Sequence, residues 1–473
     1  MSTLPNITTH FSDWYNELLF QAELTDHGPV RGTMVIRPYG YAIWEQIKHR
    51  LDARIKATGH QNMAFPLLIP ESFLKKEAEH VEGFAPELAI VTQAGGKKLD
   101  EPLVIRPTSE TLVHYMFAKW MHSWRDLPIK INQWANVVRW EMRPRPFLRT
   151  TEFFWQEGHT AHATQEEADQ EAEMMMSEYI QLAQDYLAIP VISGIKSASE
   201  KFPGAEKTLT FEAIMPDGKA LQMGTSHLLS QEFAKAFNMT FQDKDGVVRH
   251  PYLTSWGVTT RLVGALIMTH GDQKGLILPP KIAPIQVVII PILKKGANQD
   301  AVLAAADQLR ADCAEKGMRA HVDASEAKTP GAKFFKWELK GVPLRIEIGP
   351  RDLEQKVVMV ANRIDGTKEA LAIDGAVDAI KAKLTTFQKT LFERAQKQCN
   401  AQWHQAEKLS DFGPKMESKG GLYQTGWCQD PACEQELKKY KAFTRCLLDD
   451  KKHATCFWCQ KPSITDVLVA KAY

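Results

Sequence analysis

The sequence predicts a three-part protein: an α+β unit built on an antiparallel sheet, an α/β unit, and a small cysteine-bearing unit. Three observations lead to this fold class. Residues 131–162 read as a long β-hairpin, strands alternate with helices over 285–398, and five of the seven cysteines fall between Cys428 and Cys459. The proline-rich stretch KGLILPPKIAP (274–284) separates the first two units. We therefore expect domains at 1–280, 285–398 and 399–473.

The first unit mixes helical and extended patterns. Apolar residues recur at helical spacing over 41–58 before Gly59 ends that helix, and NMAFPLLIP (62–70) reads as a short buried strand. A helix begins at RPTSE (106–110), and the acidic stretch 163–187 predicts a long helix. Strand patterns return around LTFEAIM and KALQMG. TSHLLSQEFAKAF (225–237) and TTRLVGALIMTH (259–270) are interpreted as helices.

The second unit begins with the fully apolar strand IQVVIIPI (285–292). A helix, the strand RAHVD, a second helix (GAKFFKWELKG) and the strand VPLRIEIG follow, and a long helix ends near residue 398. Strands that alternate with helices predict an α/β domain around a mixed or parallel sheet.

Composition narrows the class of protein. Apolar residues make up 44% and charged residues 24% of the chain, as in a soluble globular protein. We find neither a run of about 18 apolar residues nor a secretory signal, so we expect a cytoplasmic protein that does not span a membrane. Residues 1–280 carry 27 Lys and Arg against 33 Asp and Glu, whereas residues 281–473 carry 31 against 24. A basic second half suggests an anionic partner, although a chance split between domains explains it equally well.

The hairpin carries an unusual concentration of charge in RWEMRPRPFLRTTEFFWQEGHTAH (139–162). Because side chains alternate faces along a strand, pairing of its two strands places one set of polar and aromatic residues on one face. This set is Arg139, Glu141, Phe153, Trp155, Glu157 and His159. A solvated edge hairpin is the alternative, but cations beside aromatic planes favour a flat, anionic ligand such as a nucleotide.

The hairpin resembles motif 2 of the class II aminoacyl-tRNA synthetases, with Arg-x-Glu at Arg139 and Glu141 and Arg-x-x-x-Phe at Arg149 and Phe153. The helix and strand that end at Pro66 resemble motif 1, which implies a homodimer, and GVTTRLVGALIMTHGDQKGLILPPKIAP resembles motif 3 with Arg261. Together with RPTSE, FLRTTEFFWQEGH and GTSHLL, these motifs are similar to those of the prolyl-tRNA synthetases. The resemblance implies a class II catalytic fold, an α/β anticodon-binding domain and a small α+β zinc-binding domain.

The family resemblance assigns an activity, namely ATP-dependent ligation of L-proline to tRNA(Pro) through prolyl-adenylate, with Mg²⁺ bound to ATP. Activation brings a carboxylate to a phosphate, so cations and positioning are needed more than a base. Three arginines are the implied catalytic residues, Arg139 bridging the two substrates while Arg149 and Arg261 hold the triphosphate. The implied ATP contacts are Arg139, Glu141, Arg149, Thr150, Phe153, Gln222, Thr225, Thr259 and Arg261.

The resemblance also implies a pocket for proline, whose secondary amine needs acceptors beside an aromatic wall. The implied proline-binding residues are Thr108, Glu110, Arg139, Trp155, Glu157, His159 and His227. A core histidine satisfied by the backbone is the alternative interpretation for His159. Alanine and cysteine are small enough to enter such a pocket. The interval between motifs 2 and 3 is short, so we expect no editing domain.

For tRNA, the family suggests weaker assignments. Glu338, Arg345 and Glu347 are candidate anticodon readers, with Lys336 and Arg351 nearby, although the stretch could be ordinary strand and helix surface. Arg143 and Arg145 in the motif 2 loop are placed to meet the acceptor end, and a solvated loop is the alternative.

The last cysteines form WCQDPAC and CFWC, a C-x4-C and a C-x2-C pair, in a chain without an export signal. This spacing predicts a structural zinc site at Cys428, Cys433, Cys456 and Cys459. Cys446 is the rival ligand, although its neighbours FTRCLLDD look helical. In the related C-terminal domains the chain ends at a tyrosine, here Tyr473, whose carboxylate is expected to turn back towards the active site.

Two alternative functions remain. The first is a class IIa synthetase for another amino acid. A threonyl enzyme would need a cysteine-containing metal site in its core, and a seryl enzyme would need a long N-terminal coiled-coil arm; the sequence predicts neither. A non-catalytic paralogue that binds RNA is the other, and such relatives typically lose an ATP-clamping arginine.

Overall fold

The structure, a computed structural model, describes residues 3–78, 88–293 and 298–473. Its helices in chain order are α1 (Phe11–Gln21), α2 (Pro38–Ala57), α3 (Glu71–Ala78), α4 (Glu110–Trp120), α5 (Gln165–Gln181), α6 (Gln231–Ala236), α7 (Arg261–His270), α8 (Gln299–Glu315), α9 (Pro330–Leu339), α10 (Pro350–Glu354), α11 (Ala376–Ala401), α12 (Leu409–Lys419) and α13 (Pro431–Gln435). Among the described helices, none combines the length and the apolar composition that a membrane crossing requires.

The strands of the described residues form five sheets. In chain order they are β1 (Thr25–His27), β2 (Met34–Ile36), β3 (Gln61–Asn62), β4 (Leu68–Pro70), β5 (Ala89–Ala94), β6 (Lys97–Ile105), β7 (Ile129–Val138), β8 (Glu152–His162), β9 (Ile192–Ile195), β10 (Ala205–Ile214), β11 (Ala220–Leu229), β12 (Phe241–Gln242), β13 (Val248–Arg249), β14 (Tyr252–Thr259), β15 (Val287–Pro291), β16 (Ala320–Val322), β17 (Leu344–Ile348), β18 (Val357–Asn362), β19 (Lys368–Ala372), β20 (Trp403–Gln405), β21 (Leu422–Trp427), β22 (Ala442–Leu448) and β23 (Thr465–Lys471).

One long sheet dominates the molecule, in the order β20-β21-β23-β22-β9-β10-β11-β14-β8-β7-β3. Its neighbours are antiparallel except at the two ends, where β20 lies parallel to β21 and β3 parallel to β7. The first unit is therefore built on an antiparallel sheet with helices, as the sequence predicts. The remaining strands form the sheet β16-β15-β17-β18-β19 and three small sheets.

The predicted hairpin is β7 and β8, paired from Ile129↔Ala161 to Val138↔Glu152. This register places odd-numbered residues of both strands on one face, as the alternation requires. The first strand ends at Val138, so Arg139 and Glu141 belong to the connection, not to the strand. The amide of Arg139 still donates to the carbonyl of Thr151 (2.9 Å), which extends the register by one residue.

The interpretation of TSHLLSQEFAKAF as one helix is wrong for its first half. Thr225 to Leu229 complete β11, which pairs with both β10 and β14, and only Gln231–Ala236 is helical. A strand buried between two neighbours gains a ladder on each side, which outweighs the helical propensity of Leu and Ala.

The stretch NMAFPLLIP is likewise not one buried strand. It gives β3 and β4 with a connection between them, and Leu67 and Leu68 are exposed. The proline at 66 interrupts the extended pattern and has no amide hydrogen to donate to a ladder.

The main core lies between the long sheet and α1, α2, α5 and α7. It includes Trp14, Tyr179 and Trp256, each at most 2% exposed. Trp256 of β14 stands opposite Gly158 of β8, where an added Cβ would lie 2.0 Å from the indole ring. Gly158 is therefore needed for this packing, directly between Glu157 and His159.

The second unit is the expected α/β domain with a mixed sheet. β15 is parallel to β16 and β17, whereas β17, β18 and β19 are antiparallel. It meets the first unit where the amides of Leu276 and Leu278 donate to the carbonyls of Leu339 and Gly341. Gly341 has φ +68°, and an added Cβ would lie 2.5 Å from the backbone of Leu276.

The last strands join the long sheet through β22 and β9, at the bridge Leu447↔Ile195. Gly194 permits this approach, because an added Cβ would lie 2.4 Å from the carbonyl of Leu447. The expectation that Cys446 lies on a helix is wrong. It lies on β22 and is fully buried, because this strand is covered on both sides.

Candidate active site and cysteine cluster

An open cleft of about 820 Å³ lies over the long sheet, on the face that the hairpin presents. Strands β8, β10, β11 and β14 form its floor, and the connection between β7 and β8 forms one side. The sequence predicts fifteen different residues as catalytic, proline-binding or ATP-binding. Every one of them lines this cleft: Thr108, Glu110, Arg139, Glu141, Arg149, Thr150, Phe153, Trp155, Glu157, His159, Gln222, Thr225, His227, Thr259 and Arg261. Arg139, Arg149 and Arg261 are predicted for more than one role.

Three arginines converge on the cleft from distant positions in the chain. Arg139 donates from Nε to the carbonyl of Pro107 (3.0 Å). Arg261 donates from Nε to the carbonyl of Leu148 and from a terminal nitrogen to the carbonyl of Gln222, both at 3.1 Å. Burial, with the positive charges of Arg149 and Arg139 nearby, lowers the pKa of Arg261 to about 10. The cations are thus close enough to repel one another, which favours a polyanionic ligand between them.

The side chain of Arg149 is half-exposed and makes two long contacts. Its Nε lies 3.6 Å from a carboxylate oxygen of Glu141, and a terminal nitrogen lies 3.4 Å from the carbonyl oxygen of Tyr473. Tyr473 therefore does lie beside the cleft, where its ring also stacks 5.4 Å from the Arg145 guanidinium. An exposed ion pair of this length is weak, so Arg149 can exchange it for a ligand phosphate.

Two carboxylates at the other end of the cleft have pKa values that are shifted in opposite directions. Burial raises the pKa of Glu110, at the first turn of α4. Burial also disfavours charge on Glu157, but hydrogen bonds from His159 and Ser109 outweigh it and hold the pKa of Glu157 below its usual range. Gln133 donates to the other Glu157 oxygen (2.8 Å). Glu157 is therefore a fixed anion in the pocket floor.

Two histidines accompany these carboxylates. His159 contacts Glu157 through Nε2 (3.3 Å), which favours a role in the pocket over a backbone-satisfied core histidine. Burial, with His159 nearby, lowers the pKa of His227 to about 3, so His227 is neutral at physiological pH. Its two ring nitrogens contact the hydroxyls of Thr208 (3.0 Å) and Thr225 (2.9 Å).

Aromatic planes complete the cleft. Phe153 and Trp155 lie edge to face with ring centroids 6.3 Å apart, and the Arg139 guanidinium lies 5.7 Å and 5.4 Å from their rings. The indole nitrogen of Trp155 is buried without a protein hydrogen-bond partner among the described residues. A guanidinium over aromatic faces is pre-oriented for a ligand that is both flat and charged.

The structure adds residues that no motif marked. Gln133 and Ser109 hold Glu157, and Ser255 bonds Glu110. Lys196, Glu200, Lys201, Phe202 and Pro203 form a further wall of the cleft. Their segment between β9 and β10 has no periodic pattern and no metal-ligand spacing, so sequence reasoning had no signal for it.

The residues suggested for tRNA lie outside the cleft. Arg143 is exposed, and its amide donates to Glu141 (2.8 Å), whereas the Arg145 guanidinium donates to the Ser12 hydroxyl (2.6 Å). In the α/β unit, Arg345 pairs with Glu347 (3.2 Å) on β17, and Glu338 of α9 pairs with Lys274 (3.2 Å). Glu338 is thus engaged at the junction with the first unit.

The four predicted cysteines form one cluster, in which the sulfur atoms all lie within 4.8 Å of one another. Cys428 lies 3.7 Å from Cys433 and 3.7 Å from Cys459. A tetrahedral zinc site with bonds of about 2.3 Å has sulfur–sulfur edges of roughly 3.8 Å, so the geometry could hold such an ion. Cys446 is not a member of this cluster.

Comparisons with protein families agree with this layout. Residues 92–270 match the tRNA synthetase class II core domain (G, H, P, S and T), residues 286–383 match the anticodon binding domain, and residues 409–473 match the C-terminal domain of prolyl-tRNA synthetase.

The chain is also similar to proline–tRNA ligases over nearly its full length. It is 49% identical to proline–tRNA ligase 2 of Clostridioides difficile (strain 630), over 98% of this chain and 96% of the relative. It is 50% identical to the chloroplastic/mitochondrial proline–tRNA ligase of Arabidopsis thaliana, over 98% of this chain and 87% of that relative.

Two solved structures share the fold. The prolyl-tRNA synthetase of Cryptosporidium parvum complexed with L-proline and AMP superposes with a TM-score of 0.93 at 38% identity, covering 100% of this chain and 99% of that one. The same enzyme complexed with halofuginone and AMPPNP gives 0.94 at 40% identity, covering 99% of each chain. Because identity near one half extends over 98% of this chain and over 96% and 87% of these two relatives, and all three domain families occur in order, the chain belongs to the prolyl-tRNA synthetase family.

Proposed function

We propose that the chain ligates L-proline to tRNA(Pro) in two steps, through prolyl-adenylate, with release of pyrophosphate and then AMP. One observation carries the proposal: three arginines from separate parts of the chain meet buried carboxylates and aromatic rings in a single cleft. The family membership and the similarity to structures that hold L-proline, AMP and AMPPNP support it.

In the activation step the arginines supply the chemistry. Arg139 lies between the aromatic rings and the carboxylates, where it would bridge the proline carboxylate and the α-phosphate. Arg149 and Arg261 would hold the triphosphate, and Phe153 with Arg261 would enclose adenine. Fixed cations that are in place before the charge develops lower the barrier without reorganisation, so no strong base is needed.

The remaining nucleotide contacts are proposed on the same wall. Thr150, Gln222, Thr225 and Thr259 line the cleft beside the arginines. Glu141 offers a carboxylate oxygen, the ligand type that Mg²⁺ prefers, so the magnesium that accompanies ATP would bind near it. Magnesium would neutralise part of the charge on the leaving pyrophosphate.

At the other end, Thr108 and Glu110 would accept from the secondary amine of proline, and Trp155 would cover the ring. Glu157, His159 and His227 hold this pocket through the contacts described above. Because Glu157 is a fixed anion and His227 is neutral, the pocket presents acceptors to a protonated amine.

Amino-acid-dependent exchange of pyrophosphate into ATP tests the function. We expect exchange with proline and much slower exchange with alanine or cysteine, which fit the pocket but fill it poorly. Exchange with threonine or serine and not proline would identify a synthetase for another amino acid. No exchange with any amino acid, from protein that binds tRNA, would identify a non-catalytic paralogue.

For the second substrate we propose that the α/β unit binds the anticodon and that Arg143 and Arg145 face the acceptor end. The match to an anticodon binding domain supports the first part. Glu338, Arg345 and Glu347 remain the proposed base readers. Footprinting of tRNA(Pro) on the protein tests both parts, and protection that avoids the α/β unit would contradict the assignment.

We propose that the cysteine cluster binds one structural Zn²⁺, because four thiols at these distances match its tetrahedral geometry. The zinc would hold the segments that carry the two cysteine pairs. Metal analysis of Cys428→Ser, with Cys446→Ser as the matched control, tests this assignment. We expect zinc to be lost from the first variant and retained in the second, and the reverse result would make Cys446 a ligand.

We also propose a homodimer, the domain division 1–280, 285–398 and 399–473, and a cytoplasmic location. The resemblance to motif 1 supports the dimer, and exposed Leu67, Leu68 and Ile90 provide apolar surface on the adjacent small sheet. Sedimentation of the wild-type chain and of Leu68→Asp tests it. A wild-type chain that sediments as a monomer at micromolar concentration would contradict it.

A further inference from the structure

One wall of the cleft is attached to the C-terminal part of the chain. This wall segment, residues 196–203, connects β9 to β10, and five of its residues line the cleft. It has no regular secondary structure beyond turns, such as those closed by the amides of Glu200 and Lys201 on the carbonyl of Ser197. A segment of this kind needs contacts from elsewhere to hold one conformation.

Glu434 provides such contacts from α13. Its Oε1 accepts from the Ser197 hydroxyl (2.8 Å) and its Oε2 from the Ser199 hydroxyl (2.6 Å). Thr444 of β22 also donates to Oε1. Glu434 is 8% exposed and Ser197 2% exposed, so these bonds are largely shielded from water. Hydrogen bonds to a buried carboxylate are stronger than those between neutral groups.

A second attachment lies beneath the segment. Lys196 donates to one oxygen of Glu212 and Arg445 to the other, both at 2.6 Å. Each of the three side chains is at most 7% exposed. Arg445 lies on β22, one residue from Thr444, so the same strand supports both attachments.

The wall segment reaches the proposed proline pocket through Phe202. Its ring centroid lies 4.7 Å from that of His227, and its amide donates to the Thr208 hydroxyl (3.0 Å). The same hydroxyl contacts Nδ1 of His227 (3.0 Å). The position of the segment therefore fixes the environment of His227.

We propose that Glu434 is a positioning residue for the amino-acid end of the cleft. It holds Ser197 and Ser199, and through them Phe202 against His227, without touching either substrate. The C-terminal part of the chain thereby builds part of the proline pocket. This inference rests on the proposed function.

Glu434→Ala tests the inference, with Glu436→Ala as the matched control. Glu436 lies two residues away and pairs with Lys439 on the surface, so the control removes the same charge without touching the wall segment. We expect Glu434→Ala to raise KM for proline by roughly tenfold in pyrophosphate exchange, with KM for ATP within about twofold of wild type. A general loss of structure would change both constants or neither. Glu434→Gln, which keeps one acceptor oxygen, should restore part of the effect.

A double-mutant cycle separates the effect of these hydrogen bonds from a general effect on folding. Ser197→Ala/Ser199→Ala breaks the same bonds from the catalytic side and leaves α13 intact. Combined with Glu434→Ala, it should raise KM for proline no further than either change alone, because both changes remove the same two hydrogen bonds. Additive effects, or an unchanged KM for proline in the serine variant, would overturn the inference. Absence of exchange in the wild type would instead overturn the proposed function.

Discussion

The arginines of the cleft and the arginine of the anticodon-binding sheet are held in opposite ways. Arg139 and Arg261 are oriented by carbonyl oxygens of Pro107, Leu148 and Gln222. Arg345 instead pairs with Glu347, which also binds Lys368 (2.5 Å). Among the described residues, no carboxylate lies within 4.0 Å of a side-chain nitrogen of Arg139 or Arg261.

The difference shows how a fold keeps a charge available. A carbonyl dipole fixes the direction of a guanidinium without placing a carboxylate in direct contact with it, so the guanidinium can still form a direct ion pair with an anionic ligand. A carboxylate partner neutralises the charge and makes the arginine part of the local structure. The cleft is therefore prepared for anions, whereas the sheet surface around Arg345 must exchange partners before it binds any.

The largest effect on activity is expected from replacing the arginines that carbonyl oxygens orient. Replacing Arg139 or Arg261 by Met should lower the rate of proline-dependent exchange by about 10³-fold or more, or about 4 kcal/mol of transition-state stabilisation. The free energy of unfolding, from thermal denaturation, should fall by only about 1–2 kcal/mol, because the carbonyls are left unpaired. Arginine-to-lysine variants should recover only part of the rate, since lysine lacks the planar fork. Near-normal exchange in Arg261→Met would remove the distinction between the two kinds of arginine.

For a buried charge that is fully paired, the main expected effect of removal is on stability and not on the exchange rate. Glu212→Leu leaves Lys196 and Arg445 as uncompensated cations, and we expect the free energy of unfolding to fall by about 3–5 kcal/mol in urea titrations. Glu141→Gln is the matched carboxylate change inside the cleft. Its weak ion pair with Arg149 is partly exposed, so stability should change by less than about 1 kcal/mol. Equal destabilisation by both would contradict the comparison.

At the amino-acid end of the cleft His227 is expected to be neutral, and the pH dependence of stability tests this. The pKa of His227 is lowered to about 3, so on acidification the unfolded chain takes up this proton first. Its contribution to stability is complete above about pH 6.5 and is lost as the pH falls towards 3, by about 1.4 kcal/mol at pH 5.5. Unfolding of His227→Gln should lose that much less between pH 7.5 and 5.5. An identical pH dependence would show that His227 titrates normally.

The smallest effect is expected at Arg345. Arg345→Leu breaks an ion pair at the edge of solvent, so stability should change by at most about 1 kcal/mol and proline-dependent exchange should not change. If Arg345 contacts the anticodon, KM for tRNA in aminoacylation should rise roughly five- to tenfold, or about 1 kcal/mol. An unchanged KM for tRNA would make its pairing with Glu347 purely structural.

Much of the cleft could be predicted because strand geometry is local. The alternation of Phe153, Trp155, Glu157 and His159 requires one face whatever the strand pairs with, and β8 has that arrangement. The same holds for the cysteine pairs, whose spacing alone predicts which four sulfurs meet.

The errors came from segments whose neighbours lie far away in sequence. Thr225 and His227 lie on a strand because β10 and β14 flank it, and Cys446 lies on a strand because β22 joins β9 and β23. Both stretches have apolar residues at helical spacing, but hydrogen bonding to a neighbouring strand on each side outweighs that preference. The wall segment had no local signal at all, since Glu434 holds it from more than 230 residues away.

By itself the sequence determined the residue types of the site, the shared face of Phe153, Trp155, Glu157 and His159, and the four cysteines that meet, because these follow from spacing along one chain. Only the tertiary structure decided that neutral carbonyls orient Arg139 and Arg261 and that a distant carboxylate supports the pocket wall. Both depend on atoms that approach through folding, and no short-range pattern encodes such distances.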